Sequence, residues 1–158
     1  MTAEEQLVAR LAEKGWTLAL AESCTGGMVA QRITSVPGAS AIFLGGVVAY
    51  ANEIKRDVLG VSSATLAAHG AVSAETALAM AQGARRITHA TVAASVTGIA
   101  GPSGTTPDKP VGLVFIGVAS AQCATTERFF FSGDRAAIRA QACNAMLVLL
   151  LKSLPGII

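Results

Sequence analysis

The heptapeptide Ala21-Glu22-Ser23-Cys24-Thr25-Gly26-Gly27 separates two segments of different periodicity. Before it, residues 16–21 (Trp-Thr-Leu-Ala-Leu-Ala) form a short apolar run that predicts a strand. After it, Val29 and Ile33 stand four apart and predict a helix over residues 25–35. A strand joined to a helix through so short a Ser-Cys-Thr-Gly-Gly turn must reverse sharply. The turn then holds the Ser23 hydroxyl at the end of the strand and aims helix N-terminal N–H groups at the same point. Such an elbow can bind an anion, or present a nucleophilic serine beside an oxyanion hole built from the N–H groups of Thr25, Gly26 and Gly27. It can also be a plain small-residue turn in which glycine permits close packing.

Outward from the elbow, strand and helix signals alternate. An amphipathic helix is predicted over 3–14, with Glu4 and Glu5 in its first turn and Gly15 as its stop. Residues 41–50 read as a strand whose Gly45-Gly46 pair marks a bulge or a close backbone approach. Asn52 is placed to cap a short helix over 53–59, and Ser62 or Ser63 another ending near Ala67. Ser73 precedes a long helix over 74–87 with a small-residue face. Residues 90–96 form an apolar strand of the kind buried on both faces. Residues 111–119 and 126–131 read as a hairpin, and Asp134 caps a final helix ending near Leu151. The expected fold is α/β: a single layered domain over residues 1–158 with a mixed β-sheet flanked by helices.

Composition narrows the function. The chain has 158 residues, 52% hydrophobic and 14% charged, with a net charge of +2. That suits a globular core and argues against a nucleic-acid partner. So low a charged fraction predicts that a second copy covers part of the surface, as a homo-oligomer. The three cysteines are dispersed with no C-x-x-C pair, as in a protein of a reducing compartment. The N-terminus is polar, and the longest apolar run, residues 146–151, is too short to span a bilayer. A cytoplasmic protein without a membrane partner is expected.

Three polar loops fall at strand ends: 23–27, 97–104 and 132–135. Ligands in α/β sheets bind beyond the carboxyl ends of strands, so these loops can converge on one pocket. The loop Thr97-Gly98-Ile99-Ala100-Gly101-Pro102-Ser103-Gly104 matches neither a dinucleotide fingerprint nor a Walker loop, and reads as a generic phosphate cradle or a surface loop. No spacing supports a triad through His69 or His89, and no metal-ligand motif occurs, so neither metal nor cofactor is expected. A serine nucleophile without histidine needs another base, and lysine is the usual one. Lys55 would sit in the first turn of a helix, where the dipole disfavours its charge and burial would lower its pKa toward a neutral amine. Tyr50 could relay the proton or hold Ser23. The alternatives are a solvated helix lysine and an ordinary strand aromatic. Arg135 suits a phosphate or carboxylate clamp, whereas Arg139, one turn on, reads as a surface ion-pairing residue.

Taken in order, Ala21-Glu-Ser23-Cys-Thr-Gly-Gly27, Tyr50-Ala-Asn-Glu-Ile-Lys55, His69-Gly-Ala-Val-Ser73, Thr97-Gly-Ile-Ala-Gly-Pro102, Lys109-Pro-Val-Gly112 and Ser132-Gly-Asp-Arg135 resemble the CinA C-terminal domain family. That family includes bacterial nicotinamide mononucleotide deamidases. The resemblance covers nearly the whole chain. It implies an α/β fold and metal-free hydrolysis of the nicotinamide carboxamide, with catalytic roles falling on Ser23, Tyr50 and Lys55. It also implicates Thr97 and Arg135 in the site, and with Gly98 they are expected to hold the nucleotide's phosphate or ribose. The sequence departs at Thr105, where relatives often carry a further glycine, and its length leaves no room for the N-terminal domain of longer CinA proteins. Two other readings stay open at this stage: a nucleotide-binding regulatory module without turnover, and a hydrolase of another small amide.

Overall fold

A computed structural model describes residues 1–157. Its centre is a five-stranded sheet built from β1 (Leu18–Glu22), β2 (Phe43–Val48), β3 (Val92–Gly98), β4 (Leu113–Ser120) and β5 (Ala124–Phe130), in the order β2-β1-β3-β4-β5. β1 runs parallel to both β2 and β3, whereas β3–β4 and β4–β5 are antiparallel. The expected mixed sheet flanked by helices is the observed architecture. β1 lies between the two strands that follow it in sequence, so the chain crosses over it between β2 and β3. This switch point opens a crevice beyond the carboxyl ends of the parallel strands.

Strand alternation distributes the core to the two faces. Leu18 and Leu20, Val92, Ala94 and Val96, and Val114, Ile116 and Val118 pack into one cluster with residues of α1 (Ala3–Lys14), α2 (Met28–Thr34) and α6 (Arg135–Ser153). Their neighbours of opposite parity, Ala19, Ala21 and Ala93, join the cluster of Met80 and Ala84 from α5 (Ala74–Thr88). Large side chains therefore point one way and alanines the other, and the alanine face lets α5 approach closely. Ser95 Oγ donates to the Ala77 carbonyl of α5, and a side chain on Gly117 would run into that same carbonyl. The short helices α3 (Asn52–Asp57) and α4 (Ser63–His69) complete the connection from β2 to α5.

Local details adjust the expected boundaries. β1 extends through Glu22, and α2 starts only at Met28, because residues 24–27 form a turn with Gly26 and Gly27 at φ of +60° and +104°. The Gly45-Gly46 pair does both things expected of it. Leu18 pairs with Phe43 but Ala19 with Gly45, which leaves Leu44 as a bulge, and a Cβ on Gly46 would sit 3.0 Å from the Leu20 carbonyl oxygen. Asn52 is not a cap: Ala51 holds that position with no side-chain bond, and Asn52 is the first helical residue. Ser62, Ser73 and Asp134 cap α4, α5 and α6 through their side chains. The hairpin through residues 120–124 is as expected. Although the uninterrupted apolar run in α6 is short, this helix with the turn following it is long and apolar enough to cross a membrane on length and composition alone. Here Ile138, Ala142, Met146, Leu147 and Leu150 are buried in the core.

Gly83, inside α5, carries a testable packing constraint. A Cβ there would lie 1.9 Å from the Leu59 carbonyl oxygen. Glycine to alanine in a helix interior ordinarily gains about 1 kcal/mol. Gly83→Ala is expected to lose about 2–3 kcal/mol instead through overpacking, read as a lower urea midpoint at unchanged slope.

Candidate active site

The crevice beyond β1, β2 and β3 is a cleft of about 300 Å³, lined among others by Ser23, Cys24, Tyr50, Lys55, Thr97 and Arg135. A larger groove of about 540 Å³ runs between β5 and α6 along Phe129, Phe131 and Val148, and shares no residue with the cleft.

Ser23 follows β1 directly. Its backbone N–H donates to the Val96 carbonyl at 2.9 Å, which carries the sheet ladder one residue further and fixes where the side chain begins. Glu22, the last strand residue, is 2% exposed. Its carboxylate turns under the elbow and accepts from Thr25 Oγ1 (2.6 Å) and from the backbone N–H groups of Gly27 (3.2 Å), Val29 (3.0 Å) and Ala30 (2.9 Å). α2 has Gly27 at its cap position and no side-chain cap of its own. Glu22 supplies that cap from the preceding strand, and the helix dipole favours the charge.

This arrangement corrects the expected oxyanion hole. Thr25 is fully buried with its hydroxyl on Glu22, the Gly27 N–H is used by the same carboxylate, and the Gly26 N–H donates to the Ser23 carbonyl at 3.0 Å. None of Thr25, Gly26 and Gly27 lines the cleft. The two glycines serve the turn's positive φ angles instead. Among the described residues, the backbone N–H groups of Cys24, Ala100 and Gly101, all cleft-lining, donate to nothing. Cys24 is the residue after the serine, where nucleophile elbows place an oxyanion donor.

Lys55 is 1% exposed. Its Nζ lies 2.9 Å from Ser23 Oγ, 2.8 Å from the Ala49 carbonyl oxygen and 3.0 Å from the Tyr50 carbonyl oxygen. No carboxylate pairs with it among the described residues, and burial lowers its pKa from the usual 10.5. A neutral amine has two N–H donors and one lone pair. As an ammonium, Nζ donates to all three oxygens; once deprotonated, it keeps two donors for the carbonyls and turns its lone pair to the Ser23 hydroxyl. Cys24 does not compete as nucleophile, because burial pushes its thiol up to about 11.

Tyr50 meets Lys55 through its backbone carbonyl. Its side chain is 60% exposed, and its hydroxyl accepts from Arg135 Nη2 at 3.0 Å. Arg135 Nη1 donates to the Gly101 carbonyl at 2.8 Å, so the pair bridges the cleft mouth from the β2 side to the glycine loop. The expected contact of the Tyr50 hydroxyl with Ser23 or Lys55 is absent among the described residues. Thr97 lines the cleft while its hydroxyl donates to the Ala71 carbonyl at 2.7 Å. Gly98 also lines it, and a side chain there would collide with Val114 of β4. His69 and His89 lie outside the cleft. No group of three His, Cys, Asp or Glu side chains suited to a metal occurs among the described residues.

Two residues of this architecture were not assigned from the sequence. Glu22 had a signal: a charged residue ending an apolar strand, ahead of a helix that lacks a capping side chain. Arg139 was read as a surface ion-pairing residue. It instead turns inward and donates from Nε to the Cys24 carbonyl (3.0 Å) and from Nη2 to the Thr25 carbonyl (3.2 Å).

Known proteins bear on this site. The family model described as the CinA C-terminal domain matches residues 1–154. A "CinA-like protein" of Citrifermentans bemidjiense is 53% identical over 144 residues, which cover 91% of this chain and 35% of that protein. The chain spans about a third of the length of the curated relatives it matches. The crystal structure of the competence/damage inducible protein CihA from Agrobacterium tumefaciens superposes with a TM-score of 0.89 at 38% identity, covering 96% of each chain. A CinA superfamily protein from Klebsiella pneumoniae gives a TM-score of 0.92 at 35% identity over 98% of this chain and 99% of that one.

Two measurements test the electrostatics. Glu22→Gln keeps the size and an oxygen for the three donors on Oε1 but turns an amide N–H₂ onto the Ala30 N–H and removes the charge, and is expected to cost about 2–3 kcal/mol of stability in urea unfolding. For Lys55, the unfolded chain binds the proton more tightly than the folded one. Between the lowered folded pKa and 10.5 the unfolded state therefore carries more protons, and stability rises with pH. Wild type should gain stability relative to Lys55→Met as pH climbs toward 10.5 and level off above it. A pH-independent difference would mean an ordinarily charged lysine.

Proposed function

This chain belongs to the CinA C-terminal domain family, and from that premise we propose that it is an amidohydrolase. Its proposed reaction converts nicotinamide mononucleotide to nicotinate mononucleotide and ammonia. The observation that carries the reading is the buried Lys55 amine, bonded to two backbone carbonyls and to Ser23 Oγ, with no carboxylate among the described residues to hold its charge.

Ser23 Oγ attacks the carboxamide carbon while its proton passes to Lys55 Nζ. The tetrahedral oxyanion forms against the Cys24 N–H and the unpaired N–H groups of the glycine loop. Lys55 then returns the proton to the amide nitrogen, the C–N bond breaks and ammonia leaves an acyl-Ser23. Water then adds to the acyl carbon as Lys55 takes one of its protons, the Oγ–C bond breaks as Lys55 returns that proton to Ser23 Oγ, and the product leaves as a carboxylate with its acid proton released to solvent. The Ala49 and Tyr50 carbonyls hold the amine in one orientation throughout, so no solvent has to reorganise around it. In this reading Arg135 with Tyr50 at the mouth, and the loop 97–104, take the phosphate and ribose. A cleft of about 300 Å³ suits a single mononucleotide.

Ammonia release from nicotinamide mononucleotide by wild type, Ser23→Ala and Lys55→Met tests the reading. Wild-type turnover should rise with pH through the lowered Lys55 pKa. Ser23→Ala should lose about 10³-fold or more. Lys55→Met should lose about 10²–10⁴-fold together with the rising limb of the pH profile. Binding of the nucleotide without release by wild type would identify a binding module instead, and release of ammonia only from other amides would move the substrate.

A further inference from the structure

Resting on the serine-amidase reading above, we propose that Arg139 is a positioning residue that holds the nucleophile elbow in its reactive shape. Cys24 lies between two anchored peptide groups. The Ser23 carbonyl ahead of it accepts from the Gly26 N–H at 3.0 Å, and its own carbonyl accepts from Arg139 Nε at 3.0 Å. Both rotatable bonds of Cys24 are thereby fixed. The elbow's peptides are trans, so the Cys24 N–H points opposite to the Ser23 carbonyl, out of the turn. The second guanidinium bond, from Nη2 to the Thr25 carbonyl, pins the following peptide, whose oxygen also takes the Met28 N–H.

Gly26 is required by its φ of +60°, and a Cβ on it would only touch Arg139 Nη2, at 3.4 Å, so the guanidinium lies directly against the turn. From below, Glu22 holds the other edge of the same turn through Thr25 and Gly27. The turn is thus clamped between an anion that takes the Thr25 hydroxyl and the Gly27 N–H and a cation that takes the Cys24 and Thr25 carbonyls. These charge-assisted bonds are stronger and more directional than neutral ones. Arg139 stands one helical turn after Arg135, so a single face of α6 serves both the cleft mouth and the carbonyls of the elbow. Arg139 itself does not line the cleft. Its effect passes through Ser23 Oγ and the Cys24 N–H.

The test compares wild type, Arg139→Met and Arg139→Lys in two assays, each normalised to folded protein by thermal unfolding. One is ammonia release from nicotinamide mononucleotide. The other is the rate at which a small alkyl fluorophosphonate labels Ser23: the Oγ–P bond forms, the P–F bond breaks, fluoride leaves and the hydroxyl proton passes to Lys55. Arg139→Met should slow both kcat and labelling by about 100-fold, with KM within about three-fold and the pH midpoint of the rising limb unmoved. Arg139→Lys, which reaches one carbonyl only, should fall between, about ten-fold down. Wild-type rates per folded molecule in either variant would overturn the inference, as would a loss confined to KM or a displaced pH midpoint. If Arg139→Met does not fold, Arg139→Lys decides by the same criteria. A wild type that labels but releases no ammonia would reject the deamidase substrate and leave Arg139 judged by labelling. A wild type that does not label would overturn the nucleophile and this inference together.

Discussion

A carboxylate buried at the end of a strand sets the geometry on which everything at this site depends. Glu22 carries its charge out of water, a transfer that costs several kcal/mol unless the oxygens are fully bonded. Four donors meet them, all from the turn and the first turn of α2. Satisfying that charge forces the chain to fold back over it, and the fold-back leaves Ser23 at the apex. The helix N-terminus, often the anion site in such elbows, is here occupied by the protein's own carboxylate. In the proposed reaction the oxyanion donors are therefore others: the Cys24 N–H on one side and the glycine loop on the other.

The buried lysine obeys the same logic with opposite sign. Burial with no counter-charge among the described residues disfavours the cation and lowers the Lys55 pKa. Two carbonyls hold the amine, and its third bond goes to Ser23 Oγ, the one partner that can exchange a proton with it. Two buried ionisable groups therefore behave differently within one elbow's reach. Glu22 is met by donors alone and serves as a structural anion. Lys55 is met by two carbonyls and one hydroxyl and can exchange a proton.

The sheet explains why these groups meet where they do. β1 sits between β2 and β3, so the residues that follow all three strands converge at one edge. The alternation of leucine and valine with alanine lets α5 lie against the alanine face, while α6 packs with the larger side chains. α6 thereby arrives beside the elbow with Arg135 and Arg139 on the face that meets it. Stability and site share the same residues. Gly98 and Gly117 are bare because neighbouring backbone and side chains occupy the space a Cβ would need.

Much of this was legible in the sequence because it is local. Period-two alternation, side-chain caps at Ser62, Ser73 and Asp134, the glycine bulge in β2 and the strand–turn–helix elbow each depend on residues within a few positions of one another. Ser23 could be singled out from its turn; Lys55, expected in a helical first turn behind Asn52, stands instead in the last turn of α3, where burial and not the helix N-terminus lowers its pKa. What tertiary structure alone decided concerns partners far apart in the chain. Lys55 meets Ser23 across 32 positions and Arg139 meets Cys24 across 115, while Tyr50 gives its hydroxyl to Arg135 and only its carbonyl to Lys55. Reading Thr25, Gly26 and Gly27 as oxyanion donors failed for a physical reason. A backbone N–H has one bond to give: Gly27 gives its to the buried Glu22 carboxylate and Gly26 to the Ser23 carbonyl, while Thr25 is buried away from the cleft, and no local pattern encodes those choices.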